Sequence, residues 1–156
     1  MRNISDIIEE YLKKIIKSSQ ENAVEIKRSE IADRFQCVPS QINYVINTRF
    51  TLEKGYLVES KRGGGGYIRI IRVKPQNRAE LIDELIKLAK PEVSQQASFN
   101  MIERLLEEKL ITAREARLMM NALKREVLTI QLPERDKLRS QILTAMFSAL
   151  KYNRRE

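Results

Sequence analysis

Between two short runs rich in β-branched and aromatic residues, Tyr56-Leu-Val-Glu-Ser60 and Tyr67-Ile-Arg-Ile-Ile-Arg-Val73, lies Lys61-Arg62-Gly63-Gly64-Gly65-Gly66, which holds four of the chain's five glycines. The flanking runs predict β-strands, and glycine permits the positive φ values that a hairpin reversal needs. One or two glycines suffice for a turn. Four in succession, preceded by two cations, leave a bare backbone able to approach a narrow surface such as a DNA groove. The plainer reading is a flexible hairpin tip. What precedes the hairpin decides between the two.

Ile4, Ile7, Ile8, Tyr11, Leu12, Ile15 and Ile16 fall at helical spacing, which predicts a core-facing helix from near Asn3 or Ser5 to near Ser18. Glu25-Ile26-Lys27-Arg28 reads as a short extended piece, after which Ser29 is an N-cap for a second helix carrying Ile31, Ala32 and Phe35. The break falls at Gln36-Cys37-Val38-Pro39, and proline in the first turn starts a third helix at Pro39-Ser40. A helix-turn-helix needs a small residue where the helices cross and apolar residues that lock them. Ala32 supplies the first; Ile31, Phe35, Cys37, Ile42 and Val45 supply the second. At the turn position often held by glycine stands Gln36. With Ile42 and Val45 inward, Ser40, Gln41, Asn43, Tyr44 and Asn47 form an outer arc suited to the major groove. Asn and Gln amides can bond base edges, and hydroxyls can reach bases or phosphates. Arg28, Arg49, Lys54 and Lys61 are then assigned to phosphates.

The net charge of +8 suits a polyanionic partner, and its placement is more telling than its sum. No acid occurs between Asp33 and Glu53, nor between Glu59 and Glu80, where Lys61, Arg62, Arg69, Arg72, Lys74 and Arg78 stand. Both acid-free stretches coincide with the predicted helix-turn-helix and hairpin. The chain contains no histidine and a single cysteine, Cys37. It therefore lacks the commonest general base and metal ligand and any internal disulfide, so no catalytic residue, metal or cofactor is assigned. Cys37 reads as a small turn residue. No run approaches the ~18 apolar residues of a membrane span, and acids stand at the N-terminus where a signal peptide would be apolar. No membrane partner and a cytoplasmic address are expected.

Pro75-Gln-Asn reads as a linker. Beyond it, Leu81, Ile82, Leu85, Ile86 and Leu88 mark one helix, which Pro91 interrupts, and Phe99, Ile102, Leu105 and Leu106 mark another. Thr112-Ala-Arg-Glu115 is a capping box that opens a third, with Ala116, Leu118, Met119, Ala122 and Leu123. Leu138, Ile142, Leu143, Met146, Phe147 and Leu150 mark the last. The Met119-Met120 pair reads as core rather than cofactor site. So small a helical region buries this much apolar surface best by self-association.

Ser29-Glu-Ile-Ala-Asp-Arg-Phe35, Val38-Pro-Ser-Gln-Ile-Asn-Tyr-Val-Ile-Asn47 and Arg62-Gly-Gly-Gly-Gly-Tyr-Ile-Arg-Ile70 closely resemble the CtsR family, repressors of class III stress genes in low-GC Gram-positive bacteria. The resemblance runs the whole chain, and the tetraglycine with Arg62 and Tyr67 is its most specific part. It implies a homodimeric winged helix-turn-helix repressor of clp protease and chaperone genes that binds a tandem direct repeat in double-stranded DNA. It also implies heat sensing through the glycine-rich wing, and inactivation through the arginine kinase McsB and the Clp machinery, with Arg62 as a phosphorylation site.

The expectation is a mainly α chain with a small β-hairpin wing: a winged helix-turn-helix DNA-binding domain over residues 1–74 and a helical, four-helix-bundle-like dimerisation domain over 75–156. The DNA-binding residues are Arg28, Ser40, Gln41, Asn43, Tyr44, Asn47, Arg49, Lys61, Arg62, Gly63, Gly64, Gly65, Gly66 and Tyr67. The rival reading is a winged-helix adaptor that docks on an acidic protein without binding DNA. A nucleic-acid enzyme lacks a carboxylate cluster for metal in the basic half.

Overall fold

The structure, a computed structural model, describes residues 3–61 and 66–152. Arg62, Gly63, Gly64 and Gly65, assigned above to the wing tip, lie outside the described residues. The chain divides into two compact units, Met1–Lys74 and Pro75–Glu156.

In the first unit α1 (Ile4–Ser18) opens on a capping box between Asn3 and Asp6 and buries Ile8, Leu12 and Ile16 along one stripe. Strand β1 (Ala23–Lys27) runs directly into α2 (Arg28–Arg34). The helix therefore begins before Ser29, and Lys27 occupies the N-cap position without a side-chain cap bond. This corrects the assignment of Ser29 as N-cap. The physical reason is that β1 stays paired through Lys27, so no loop residue intervenes. The turn after α2 places Gln36 at φ 52°, the left-handed conformation that glycine commonly supplies there. α3 (Pro39–Arg49) follows, with Pro39 in its first turn, and it turns Ile42, Val45 and Ile46 into the core beside Ile31 and Ala32 of α2. Phe35 and Cys37 pack against the same cluster, half-buried.

The hairpin strands are β2 (Tyr56–Lys61) and β3 (Tyr67–Arg72), and β1 adds to them in an all-antiparallel sheet of order β1-β3-β2. The extended piece expected near Glu25 is thus a third strand, with Ile26 opposite Ile68 and Lys27 opposite Tyr67. Val24, Ile26, Ile68, Ile70 and Tyr56 cover the core. Side chains alternate along each strand, so the intervening residues form an outer face.

The second unit holds α4 (Arg78–Ala89), α5 (Gln95–Glu107), α6 (Ala113–Leu123) and α7 (Glu134–Lys151). α4 packs mainly on α7 and α5 on α6. Leu81, Ile82, Leu85, Ile102, Leu105, Leu123, Leu143 and Phe147 fill the centre, and Met119 and Met120 pack against it half-buried. The predicted capping box is formed, with Thr112 Oγ1 accepting from the Glu115 amide at 3.1 Å. Arg139, only 1% exposed, donates from Nε to the Leu123 carbonyl at 2.8 Å and from Nη1 to the Val93 carbonyl at 3.1 Å, and it pairs with Asp136. Leu118, Val127, Ile130 and Leu132 are all exposed. Among the described residues no helix is long and apolar enough to cross a membrane.

Candidate nucleic-acid interface

Because Ile42, Val45 and Ile46 point inward, the helical repeat turns Ser40, Tyr44 and Asn47 to the far side of α3, where all three are exposed. Asn43 and Thr48 flank this arc. Thr48, which the sequence reading passed over, is exposed and its Oγ1 donates to the Tyr44 carbonyl at 2.7 Å. No acid stands in the first turn of α3. The positive end of that helix dipole, open to an incoming anion, meets no carboxylate of its own.

Gln41 and Arg49 lie on the flank that meets α1. Gln41 Nε2 donates to Ser5 Oγ at 2.7 Å. Arg49 Nη1 donates to Asp6 Oδ1 at 2.8 Å and to Glu9 Oε1 at 2.6 Å, and Glu9 also takes Lys13 Nζ at 2.6 Å. Hydrogen bonds to Asp6 and Glu9 raise the Arg49 guanidinium above its ordinary value. Burial pushes Glu9 upward, but the bonds and charges of Lys13 and Arg49 outweigh it and hold its carboxyl below the ordinary value. The cation assigned to a phosphate from sequence is thus paired with two carboxylates of the protein itself, which tie α3 to α1.

Arg28, first residue of α2, donates from Nε to Asn43 Oδ1. On the outer face of the sheet, the register aligns Lys27, Tyr67 and Lys61 in one row across the three strands. Lys27 Nζ sits 4.9 Å from the centre of the Tyr67 ring, a cation–π contact. The next row is Glu25, Arg69 and Glu59, in which Arg69 and Lys61 each reach Glu25 at 3.5 Å. The cationic row is therefore the one nearest the hairpin tip. Gly66, at φ 72°, enters β3 just beyond the tip in a conformation that suits glycine. Lys54 is half-exposed and its carbonyl accepts from Arg72 at 3.2 Å.

Of the residues predicted from sequence, the structure gathers Arg28, Ser40, Asn43, Tyr44 and Asn47 on and beside the outer arc of α3, and Lys61 and Tyr67 on the sheet face. It ties Gln41 and Arg49 to α1. Arg62, Gly63, Gly64 and Gly65 lie outside the described residues. Lys27 was not singled out from sequence, because its place beside Tyr67 depends on strand pairing.

A three-helix core with an exposed polar third helix and a three-stranded wing, joined in sequence to a four-helix unit, defines a winged helix-turn-helix protein with a separate helical domain. Residues 3–74 match the family model described as the CtsR N-terminal HTH domain, and residues 76–148 the CtsR C-terminal dimerization domain. The chain belongs to the CtsR family of transcriptional regulators. It is 60% identical over 152 residues to the transcriptional regulator CtsR of Geobacillus stearothermophilus, covering 97% of this chain and 99% of that one. Against CtsR of Bacillus subtilis (strain 168) it is 59% identical over 149 residues, 96% of this chain and 97% of the other. CtsR of Staphylococcus aureus (strain USA300) is 47% identical over 152 residues, again 97% and 99%. A crystal structure of CtsR in complex with a 26 bp DNA duplex superposes with a TM-score of 0.92 at 60% identity, covering 97% of this chain and all of that one.

Proposed function

We infer that this chain is a cytoplasmic, sequence-specific DNA-binding repressor that acts as a homodimer, with the first unit on DNA and the second holding two copies together. The observation that carries this is the outer arc of α3, which is polar, exposed and free of carboxylate, on a unit whose wing presents a cationic row. In this reading α3 enters the major groove, where Ser40, Asn43, Tyr44 and Asn47 face base edges and Gln41 reaches them from the α1 flank. Lys61 and Arg28 face phosphates. Arg49 contributes less charge, since two carboxylates already hold it. The wing, with Arg62, Gly63, Gly64, Gly65, Gly66 and Tyr67, lies along the adjacent minor groove, whose negative potential attracts arginine.

Paired domains on a tandem direct repeat gain from effective concentration and block polymerase by occupying a promoter. The resemblance supplies the remainder of the proposal: clp protease and chaperone operons as targets, and release by heat or by arginine phosphorylation at Arg62, where a phosphate would replace a cation with negative charge. No catalytic role is proposed, in keeping with relatives that are transcriptional regulators.

Selection from a random-sequence duplex library, followed by mobility shift across a salt series, tests the reading. A recovered motif present twice, bound with a steep salt dependence, is the expected result. Absence of any shift would return the chain to the adaptor class.

A further inference from the structure

Arginine carries donors and no acceptor, so the bond between Arg28 Nε and Asn43 Oδ1 admits one orientation of the Asn43 amide. The oxygen must face Arg28, and the two amide hydrogens must face away from it. Asn43 lies beside the exposed arc of α3, half-buried, so those hydrogens are the polar atoms it offers to a ligand on that arc. The bond spends only Nε of the guanidinium, and a planar group held at Nε leaves Nη1 and Nη2 as a fork suited to a phosphate. Arg28 itself stands at the start of α2, and in a helix-turn-helix the first helix crosses the DNA backbone while the second lies in the groove.

The geometry points to Arg28 as a specificity-positioning residue that joins a backbone phosphate to Asn43 and presets Asn43 to read a base edge bearing hydrogen-bond acceptors. This rests on the assignment of α3 to the major groove. An asparagine free to rotate pairs best with adenine, through one acceptor and one donor. With its oxygen engaged by Arg28, the favoured partner is the edge richest in acceptors, guanine with O6 and N7. A phosphate contact carries no sequence information on its own. Coupled through Arg28, it does: the arginine on its phosphate holds the amide in register with one base pair, and a wrong base there leaves the amide hydrogens without an acceptor.

The test uses the full-length protein and the duplex selected from a random library. Asn43→Ala should flatten base discrimination at one base pair of each half-site, which identifies the pair Asn43 reads. Arg28→Met should flatten discrimination at that same pair by roughly tenfold and lower the salt slope by about one. Arg28→Lys should keep the salt slope but lose part of the discrimination, because the ammonium lacks the fork. Asn43→Asp keeps the partner of Arg28 and removes the donors, so its preference should move toward cytosine, whose N4 donates. A combined Arg28→Met, Asn43→Ala variant should discriminate no worse than either single change.

Should Arg28→Met weaken all sequences equally and leave the base profile unchanged, Arg28 is a phosphate contact alone and the inference falls. Asn43→Ala without a local effect overturns it as well. If the wild-type protein selects no sequence, the failure is instead that of the proposed function. Thermal melts on Arg28→Lys, which keeps charge and length, separate loss of reading from loss of folding.

Discussion

Helices α3 and α6 are each eleven residues long, and they are finished in opposite ways. α6 opens on the reciprocal box between Thr112 and Glu115, and at its far end the Leu123 carbonyl takes Arg139 Nε. α3 opens on Val38 with no side-chain cap and no acid in its first turn. An acid at a helix N-terminus stabilises the helix, yet it would also repel a phosphate arriving there. α3 forgoes that stabilisation and is held from the side instead, by Gln41 on Ser5 and Arg49 on Asp6 and Glu9. α6 is stabilised at its ends and α3 along its flank, a difference that the proposed function accounts for by leaving the first turn of α3 open to phosphate.

The largest effect that can break this comparison is at the closed end of α6. Arg139→Met should destabilise the second unit by roughly 3–5 kcal/mol, because Asp136 loses its partner and two buried carbonyls lose their donor. Calorimetry should show the loss in the transition of the helical unit and little change in that of the first. A melt indistinguishable from wild type would mean that the buried arginine does not hold α6 to α7.

Next comes an acid in the open first turn. Ser40→Glu should leave the melting temperature of the first unit unchanged or slightly raised, and reduce DNA affinity by about 100-fold through repulsion of phosphate. Fluorescence anisotropy with a labelled duplex, beside the melt, reads both. A matched loss of stability and affinity would show that α3 is open for no reason of binding.

Removing the cap itself is a smaller perturbation. Thr112→Ala should cost about 1 kcal/mol, visible as a fall of a few degrees in melting temperature, with no change in DNA affinity per dimer.

The smallest effect concerns the flank. Glu9 is held below its ordinary value in the folded state, so it stabilises fully above that value and its contribution is lost as pH falls through the lower, folded one. Between pH 7 and pH 3, Glu9→Gln should therefore show a stability advantage for wild type that narrows with acidification, from less than about 1 kcal/mol for so partly exposed a group. Parallel urea titrations at the two pH values measure it, and a constant gap would detach Glu9 from the ion pair with Arg49.

Much of this was legible in residue pattern. The stripe from Ile4 to Ile16, the proline that opens α3, the strands either side of the glycines and the four-residue capping box are local signals, and local signals reach the sequence directly. What was hidden is non-local. β1 has five residues, and it becomes a strand only because β3 lies beside it. Its pairing through Lys27 also displaced the expected cap at Ser29. Arg49 looked like a free phosphate contact because its two acids lie forty or more residues away, at Asp6 and Glu9. Arg139 is one of several charged residues along α7, and nothing near it in sequence announces the carbonyls it serves.

The direct passage of β1 into α2 has a geometrical consequence. Lys27 belongs to the sheet, where it faces Tyr67, and Arg28 belongs to the helix pair, where it holds Asn43. A single peptide bond separates the sheet row nearest the hairpin tip from the residue that holds the Asn43 amide of α3. Under the proposed function, the wing and α3 act as two jaws of one caliper, joined where β1 passes directly into α2. On DNA such an instrument measures as well as reads: moving the minor-groove tract one base pair further from the major-groove contacts should defeat it, even with every base preserved.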